Sequence, residues 1–476
     1  MTEISKQDIS VWWALTPLCV MITSMILTIV AFQGEPHLPL IIGTGTAALV
    51  AWKQGYSWKE IEEMMFRGIR LALPAIIIIM LVGLTIGAWI GGGIVATMIY
   101  YGLKIISPSI FLVTITIICA IVALTVGSSW ATMGTIGVAG MGIGMGMGIP
   151  APIVAGAVIS GSYFGDKMSP LSDTTNLASG LTNTDLFVHI KHMLYTTVPS
   201  LIIALLVFTY IGRDFGKDAI ENERITQTIL DMQANFVMSP YLLLIPLLVI
   251  VLVMFKVPAV PAIATGIVMG FFSQIFVQGD DPSYALQVLQ NGYTIDTSNE
   301  MVVELFNRGG LMSMMYTVSM TIVAMTFGGI MEYSGMLKAM MDQLLKFIKS
   351  TGNLIASTLG AAFLTNATCS EQYISIVVPS RMFATVYKKK GLHSKNLSRS
   401  LEDGGTLTSV FIPWNTCGVF IYTTLEVHAF SYAPYAILNF TVPIIALIYA
   451  YTGFTITKIE KTDRSQQTTL IRKKSM

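Results

Sequence analysis

The chain has 476 residues, of which 53% are hydrophobic and only 12% charged, and its formal net charge is +1. Soluble domains carry roughly 25% charge, so this composition excludes a water-soluble globule, and the neutral balance argues against a nucleic-acid partner. Cys19, Cys119, Cys369 and Cys417 stand in apolar segments without paired spacing, so they read as small buried hydrophobes and not as a disulfide or metal set.

The first apolar run, residues 11–32, follows Glu3, Lys6 and Asp8 and ends in Gln33-Gly34-Glu35-Pro36 without a small-residue cleavage site. It reads as a retained helix and not a signal peptide. Crossings are expected next at residues 38–52, 71–90, 150–176 and 193–212, then at 240–256, 258–278, 309–330, 405–424 and 432–456. Most of these runs approach the ~20 residues that a hydrocarbon core demands. Residues 108–148 and 351–388 enter and leave on one side as re-entrant hairpins, with tips near Gly127-Ser128-Ser129-Trp130 and across residues 365–372. Residues 91–107 and 334–349 are then connecting helices along the interface. The expected fold is an all-α polytopic membrane protein with about ten crossings and two hairpins.

Two segments echo each other. GSYFGDKMSPLSDTTN begins at Gly161 and GGTLTSVFIPWNTCG at Gly404, and an offset of 243 places Pro170 on Pro413. Upstream, an offset of 242 matches Gly87 to Gly329, Gly93 to Gly335 and Ser128 to Ser370. The basic cluster Arg381 to Arg399 and the tail from Lys458 belong in the cytoplasm by the positive-inside rule. The repeat equivalent of that cluster, residues 139–157, carries no charge, so the two repeats are expected to be inverted. The organisation is residues 1–212 as first repeat, 213–239 as an extracytoplasmic linker, 240–457 as second repeat and 458–476 as a cytoplasmic basic tail. Both termini are then cytoplasmic in a cell-membrane protein.

Inverted, Gly/Pro-interrupted repeats mark the binding centre of a secondary transporter. Gly165, Pro170 and Pro413 are the helix breaks, and the polar groups around them form an oxygen-rich shell suited to Na⁺. That shell comprises Asp166, Asp173, Thr174 and Asn176 at the first break and Asn415 and Thr416 at the second. Ser128 and Ser129 join it from one hairpin tip, and Asn366, Thr368, Glu371 and Gln372 from the other. A charge at the bilayer centre costs at least about 2.5–3.5 kcal/mol, so the carboxylates demand a role. Burial disfavours the anion and bound Na⁺ favours it, so one carboxylate holds either Na⁺ or a proton. Asp173 and Glu371 are the preferred carriers. Asp173 also suits a helix N-cap, and Asp166 suits an ion pair with its neighbour Lys167. Glu402 and Asp403 read equally as gate or relay groups and as solvated interfacial residues, and His189 and His192 as cytoplasmic loop residues. Gly140 to Gly148 reads as a thin hairpin arm, and Gly161-xxx-Gly165 as a close helix contact.

At GSYFGDKMSPLSDTTNLAS and NLSRSLEDGGTLTSVFIPWNTCG the chain resembles the NhaC family of Na⁺/H⁺ antiporters, over nearly its whole length to Phe454. The resemblance implies the inverted-repeat ion-transporter fold, exchange of Na⁺ for H⁺ with no cofactor, and a homodimer. Some similar proteins exchange organic anions such as malate and lactate, so an organic acid or amino acid exchanger is the alternative, with Lys167 as the anion contact. A channel lacks the expected paired breaks, and the chain offers no soluble catalytic domain.

Overall fold

The computed structural model describes residues 9–32, 34–215, 219–255, 257–297 and 299–459. Most of the basic tail therefore lies outside the described residues. Among those described, the protein is built of helices, and Leu392 and Lys458 form an isolated β-bridge.

Helix α1 (Val11–Ile26) runs through a π-turn to Ala31, and α2 (His37–Lys53) packs back against it. Helix α3 (Trp58–Gly91) starts well before the expected residue 71. Its polar first turns are helical because Ser57 and Glu60 form a reciprocal capping box and Arg67 pairs with Glu63 one turn back at 3.1 Å. Gly93, at φ +73°, turns the chain into α4 (Ile94–Ile105). Helix α5 (Pro108–Val126) ends at Gly127, whose φ of +72° reverses the chain into α6 (Ser129–Thr132), a π-turn and α7 (Val138–Gly146). This is the first hairpin. Its returning arm is thin for a packing reason: a Cβ at Gly140, Gly142 or Gly144 would come within 2.6 Å of Ile115, Ile99 or Phe111.

Helix α8 (Ala151–Met168) lies flush on α5. A Cβ at Gly161 or Gly165 would sit 2.2 Å from the Thr116 or Ala120 carbonyl oxygen. Gly165, expected as a helix break, stays helical and serves this close contact, and the chain breaks at residues 169–172 and resumes as α9 (Asp173–Leu181), followed by α10 (Leu186–Gly212). His189 and His192 lie on this helix and are buried, not in a loop. The segment expected as a polar linker contains α11 (Ala219–Asn235).

The second half follows with α12 (Leu244–Met254), α13 (Ala259–Phe276), α14 (Pro282–Asn291), α15 (Glu300–Phe306) and α16 (Met315–Tyr333). Gly335, at φ +85°, opens α17 (Met336–Lys346). Helices α18 (Thr351–Cys369) and α19 (Gln372–Lys389) form the second hairpin, packed arm to arm. Its turn is tighter than expected: residues 365–369 stay helical, and only Ser370 and Glu371 are extra-helical. Ser370 is left-handed at φ +57°. Helix α20 (Ser394–Leu401) passes into a π-turn at Glu402–Thr406, breaks at residues 412–415, and resumes as α21 (Thr416–Leu425). Short α22 (Ala429–Tyr432) and α23 (Ile437–Thr452) complete the described chain.

Trp58–Gly91, Pro108–Val126, Leu186–Gly212 and Met312–Tyr333 are each long and apolar enough to cross a bilayer. Two further pairs would cross as bent units, Thr226–Asn235 with Pro240–Leu252 at 92° and Ala429–Tyr435 with Ile437–Thr452 at 62°. Exposed Leu206, Tyr210, Ile444 and Ile448 belong to an outer surface that only lipid covers without penalty. The protein is a multi-pass membrane protein. Cys119, Cys369 and Cys417 are buried as expected, but Cys19 is exposed on α1, where a small apolar group suits lipid equally well.

Candidate functional site

Two irregular backbones meet at each centre of the fold. Gly127 approaches Leu171 so closely that a Cβ would lie 2.7 Å from the Leu171 Cβ, so the first hairpin tip rests on the first break. The second tip is tied to the second break directly, by the Thr416 N–H donating to the Ser370 carbonyl at 2.9 Å. The tips also cross over. Trp130 stacks on Phe420 at 4.3 Å, and the Tyr373 hydroxyl donates to Asp173 Oδ2.

The residues after the two tips have the same job. Ser128 Oγ accepts from the Ala131 N–H at 3.2 Å, and Glu371 Oε2 accepts from Tyr373 N–H at 2.5 Å and Ile374 N–H at 3.2 Å. Each caps the N-terminus of its returning arm, where the helix dipole favours an acceptor and, at Glu371, a negative charge. The other oxygen of Glu371 lies 3.5 Å from Thr416 Oγ1.

The breaks differ from expectation in how they satisfy their backbone. Asn176 Nδ2 donates to the Pro170 and Ser172 carbonyls at 2.9 and 2.6 Å, and Thr175 Oγ1 donates to the Lys167 carbonyl at 3.0 Å. Each of those carbonyls already accepts one hydrogen bond from a side chain of the fold. The N-cap of α9 is Ser172, not Asp173, which occupies the first helical position and accepts from Thr174 N–H at 2.8 Å. At the second break Asn366 Nδ2 donates to the Gly405 carbonyl at 2.7 Å and to Thr408 Oγ1 at 3.1 Å. Asn415 Nδ2 in turn donates to Asn366 Oδ1 at 3.2 Å. Thr368 turns back to the Leu364 carbonyl at 2.8 Å. Asn176, Asn366 and Asn415 thus hold the breaks in shape, while Thr368 bonds within its own helix.

The expected pair between Asp166 and Lys167 does not form. Adjacent residues on a helix point about 100° apart, so the two side chains face different neighbours. Lys167 Nζ bonds Asp403 Oδ1 in a fully buried contact, and Lys167 is not among the residues that line the cavity. Asp166 Oδ2 accepts instead from Ser129 N–H at 3.0 Å and Ser129 Oγ at 2.7 Å. Its Oδ1 is buried with no hydrogen-bond partner.

Asp166, Asp173 and Glu371 line one cavity of about 590 Å³, together with Ser128, Ser129, Thr174 and Gln372. Seven of the twelve expected shell residues are therefore brought together here, with Thr416 behind Glu371. The cavity adds groups that the sequence reading missed. Glu332 and Tyr333 from the end of α16 and exposed Arg381 from α19 share its wall. The apolar run 309–330 stops two residues short of this carboxylate, although an ionisable residue closing a membrane helix is itself a signal. Among the described residues no three His, Cys, Asp or Glu side chains converge on one point. The carboxylates face a shared space and not a closed cage.

Residues 161–454 match the model of the Na⁺/H⁺ antiporter family. The chain belongs to the Na⁺/H⁺ antiporter family. It is 40% identical over 454 residues to the Na⁺/H⁺ antiporter NhaC of Alkalihalophilus pseudofirmus, covering 95% of this chain and 98% of that one. It is 39% identical over 431 residues to the malate-2H⁺/Na⁺-lactate antiporter of Bacillus subtilis, covering 90% of this chain and 92% of that one. The arginine/ornithine antiporter ArcD of Halobacterium salinarum is 33% identical over 447 residues, covering 93% and 92% respectively.

Proposed function

We propose that this antiporter exchanges Na⁺ for H⁺ across the cell membrane by alternating access, with the two ions competing for Asp166, Asp173 and Glu371. The observation that carries the proposal is the cavity where both hairpin tips and the first break meet, since it gathers two buried carboxylates, Asp166 and Glu371, and the exposed carboxylate Asp173 with hydroxyls. A carboxylate that has only its own helix amides and a few hydroxyls as donors gains from either a cation or a proton, and one excludes the other.

Paired local geometry supports two repeats, and the opposite charge bias of their matching loops supports their inversion. Pro170 pairs with Pro413, N-cap Ser172 with N-cap Asn415, left-handed Gly127 with left-handed Ser370, and cap Ser128 with cap Glu371, all at an offset of 243. The Ser128 match to Ser370 is thereby displaced by one residue. The Gly93 and Gly335 turns keep the offset of 242. Under this reading the cavity opens at the cytoplasmic end, where Arg381 leads to Lys388, Lys389 and Lys390. Both termini then lie on that side.

A second reading is exchange of a small organic acid together with Na⁺ and H⁺. A space of about 590 Å³ lies within the ~300–1,000 Å³ of small-molecule sites, and Arg381, not Lys167, is the cation placed to meet a carboxylate there. Proteoliposomes carrying an imposed pH gradient separate the readings. Collapse of the gradient by Na⁺ alone supports the first, and an absolute need for malate, lactate or an amino acid supports the second.

A further inference from the structure

Behind the cavity, on the other face of α8, lies a second cluster of ionisable groups. Lys167, His189, Glu402 and Asp403 are each 0% exposed and Arg399 is 1% exposed. Asp403 is bonded at one oxygen: Oδ1 accepts from Lys167 and, at 3.1 Å, from Thr196 Oγ1, while Oδ2 has no hydrogen-bond partner and lies 3.8 Å from Arg399 Nε. Arg399 Nη1 also donates to Thr455 Oγ1 at 2.8 Å and sits 3.3 Å from His192 Nε2. Glu402 is different. Neither of its oxygens has a hydrogen-bond partner, and neither ring nitrogen of His189 has one. The charges set against Glu402 are Lys167 and Asp166 of α8 and Asp403 of its own turn, with the Thr406 hydroxyl one turn on. His189 of α10 lies near Lys167 and His192, and Arg399 of α20 completes the set.

We infer that Glu402 is a second proton-binding carboxylate of this transporter, separate from the cation cavity and coupled to it through the Asp166-Lys167 step of α8. The inference rests on the Na⁺/H⁺ exchange proposed above and deepens it. Three features carry it. A buried carboxylate without donors is costly to keep as an anion, and a proton is the smallest ligand that relieves it. Charge counting then sets the coupling. Lys167 and Arg399 bring two positive charges against one from Asp403, so the cluster is neutral with Glu402 ionised and carries one excess positive charge with Glu402 protonated. That excess sits one residue from Asp166, where it opposes a cation in the cavity and so ties Na⁺ loading to proton release at Glu402. The placement also suits movement: Glu402 opens a π-turn that continues through Gly404 and Gly405 into the second break, so its protonation is registered by a segment that need not stay fixed.

The test uses the full-length purified protein in lightly buffered detergent solution, with a pH indicator to count protons released per Na⁺ bound. Each coupled proton adds up to about tenfold per pH unit to the fall in Na⁺ affinity on the acid side, so Glu402→Gln should make that fall shallower than in the wild type by up to about tenfold per pH unit. The same variant should release fewer protons per Na⁺ and bind Na⁺ more weakly at alkaline pH. Glu402→Asp, which keeps a titrating group, should restore the release. Proton counts and pH dependence unchanged in Glu402→Gln overturn this site alone, whereas no release from the wild type overturns Na⁺/H⁺ competition and this site together. Should Glu402→Gln not fold, the Na⁺-induced infrared difference spectrum of the wild type decides. Among the protonated-carboxyl bands lost on Na⁺ addition, one must shift in Glu402→Asp while those of the cavity carboxylates stay, and a spectrum identical to wild type overturns the assignment.

Discussion

Gly165→Ala places one methyl group where α8 meets α5, and the structure sets the size of the effect. The new Cβ would lie 2.2 Å from the Ala120 carbonyl oxygen, 2.5 Å from the Leu124 nitrogen and 2.7 Å from the Ala123 Cβ. Ordinary contact lies near 3.4–4 Å, so the helices must part by at least about 1 Å, and the atoms in the way are mostly backbone that cannot rotate aside. Overpacking of this kind costs about 1–3 kcal/mol. The functional cost is larger than the stability cost suggests, because α5 carries the hairpin tip and α8 carries Asp166. A 1 Å shift would stretch the 2.7 and 3.0 Å bonds from Ser129 to Asp166 past hydrogen-bonding range. A misplacement of about 1 Å at a site can cost about 100-fold in rate. Gly180→Ala is the control, since a Cβ there meets nothing within 4 Å and Ala is the better helix former. Reconstituted variants should show Na⁺-driven proton flux nearly lost in Gly165→Ala and unchanged in Gly180→Ala. Wild-type flux and unfolding temperature in Gly165→Ala would refute the close-contact argument.

Asn366→Ala removes a buried side chain that bonds the Gly405 carbonyl, Thr408 and Asn415, so it should destabilise the protein by at least about 1–3 kcal/mol, read as a lowered unfolding midpoint in detergent. Midpoints equal to wild type would remove Asn366 from its structural role. Arg381→Ala takes an exposed charge from the cavity wall, so flux driven by Na⁺ alone should stay within about twofold of wild type, in line with the small worth of solvated charges. Any stimulation by an organic acid should disappear in the same variant.

The sequence revealed the breaks because their cause is local. Pro170 and Pro413 cannot donate a backbone hydrogen bond, and Gly127 adopts a left-handed turn without strain, so these irregularities are written into single residues. Asp166, Asp173 and Glu371 were legible for a related reason, as charges in apolar runs. Partners were not legible. Whether Lys167 turns to Asp166 or to Asp403 depends on helix rotation and on a neighbour 236 positions away. The length of α3 was missed because its first turns are polar and held by a capping box, which hydropathy does not register. His189 reads as a loop group, and Glu402 equally as a gate or relay group and as a solvated interfacial one, because their polarity suits water as well as a buried site, and only the packing of α8, α10 and α20 shows them buried.

The central claim is that Na⁺ and H⁺ share the cavity carboxylates, and Glu371→Gln tests it most directly. Glutamine keeps an oxygen to accept from the Tyr373 and Ile374 amides, so the cap at the start of α19 survives while the titrating charge is lost. With Asp173→Asn measured alongside, at matched amounts of inserted protein, Na⁺-driven proton flux in proteoliposomes should vanish in each. Near-normal exchange in either variant would contradict the assignment of that residue as a carrier.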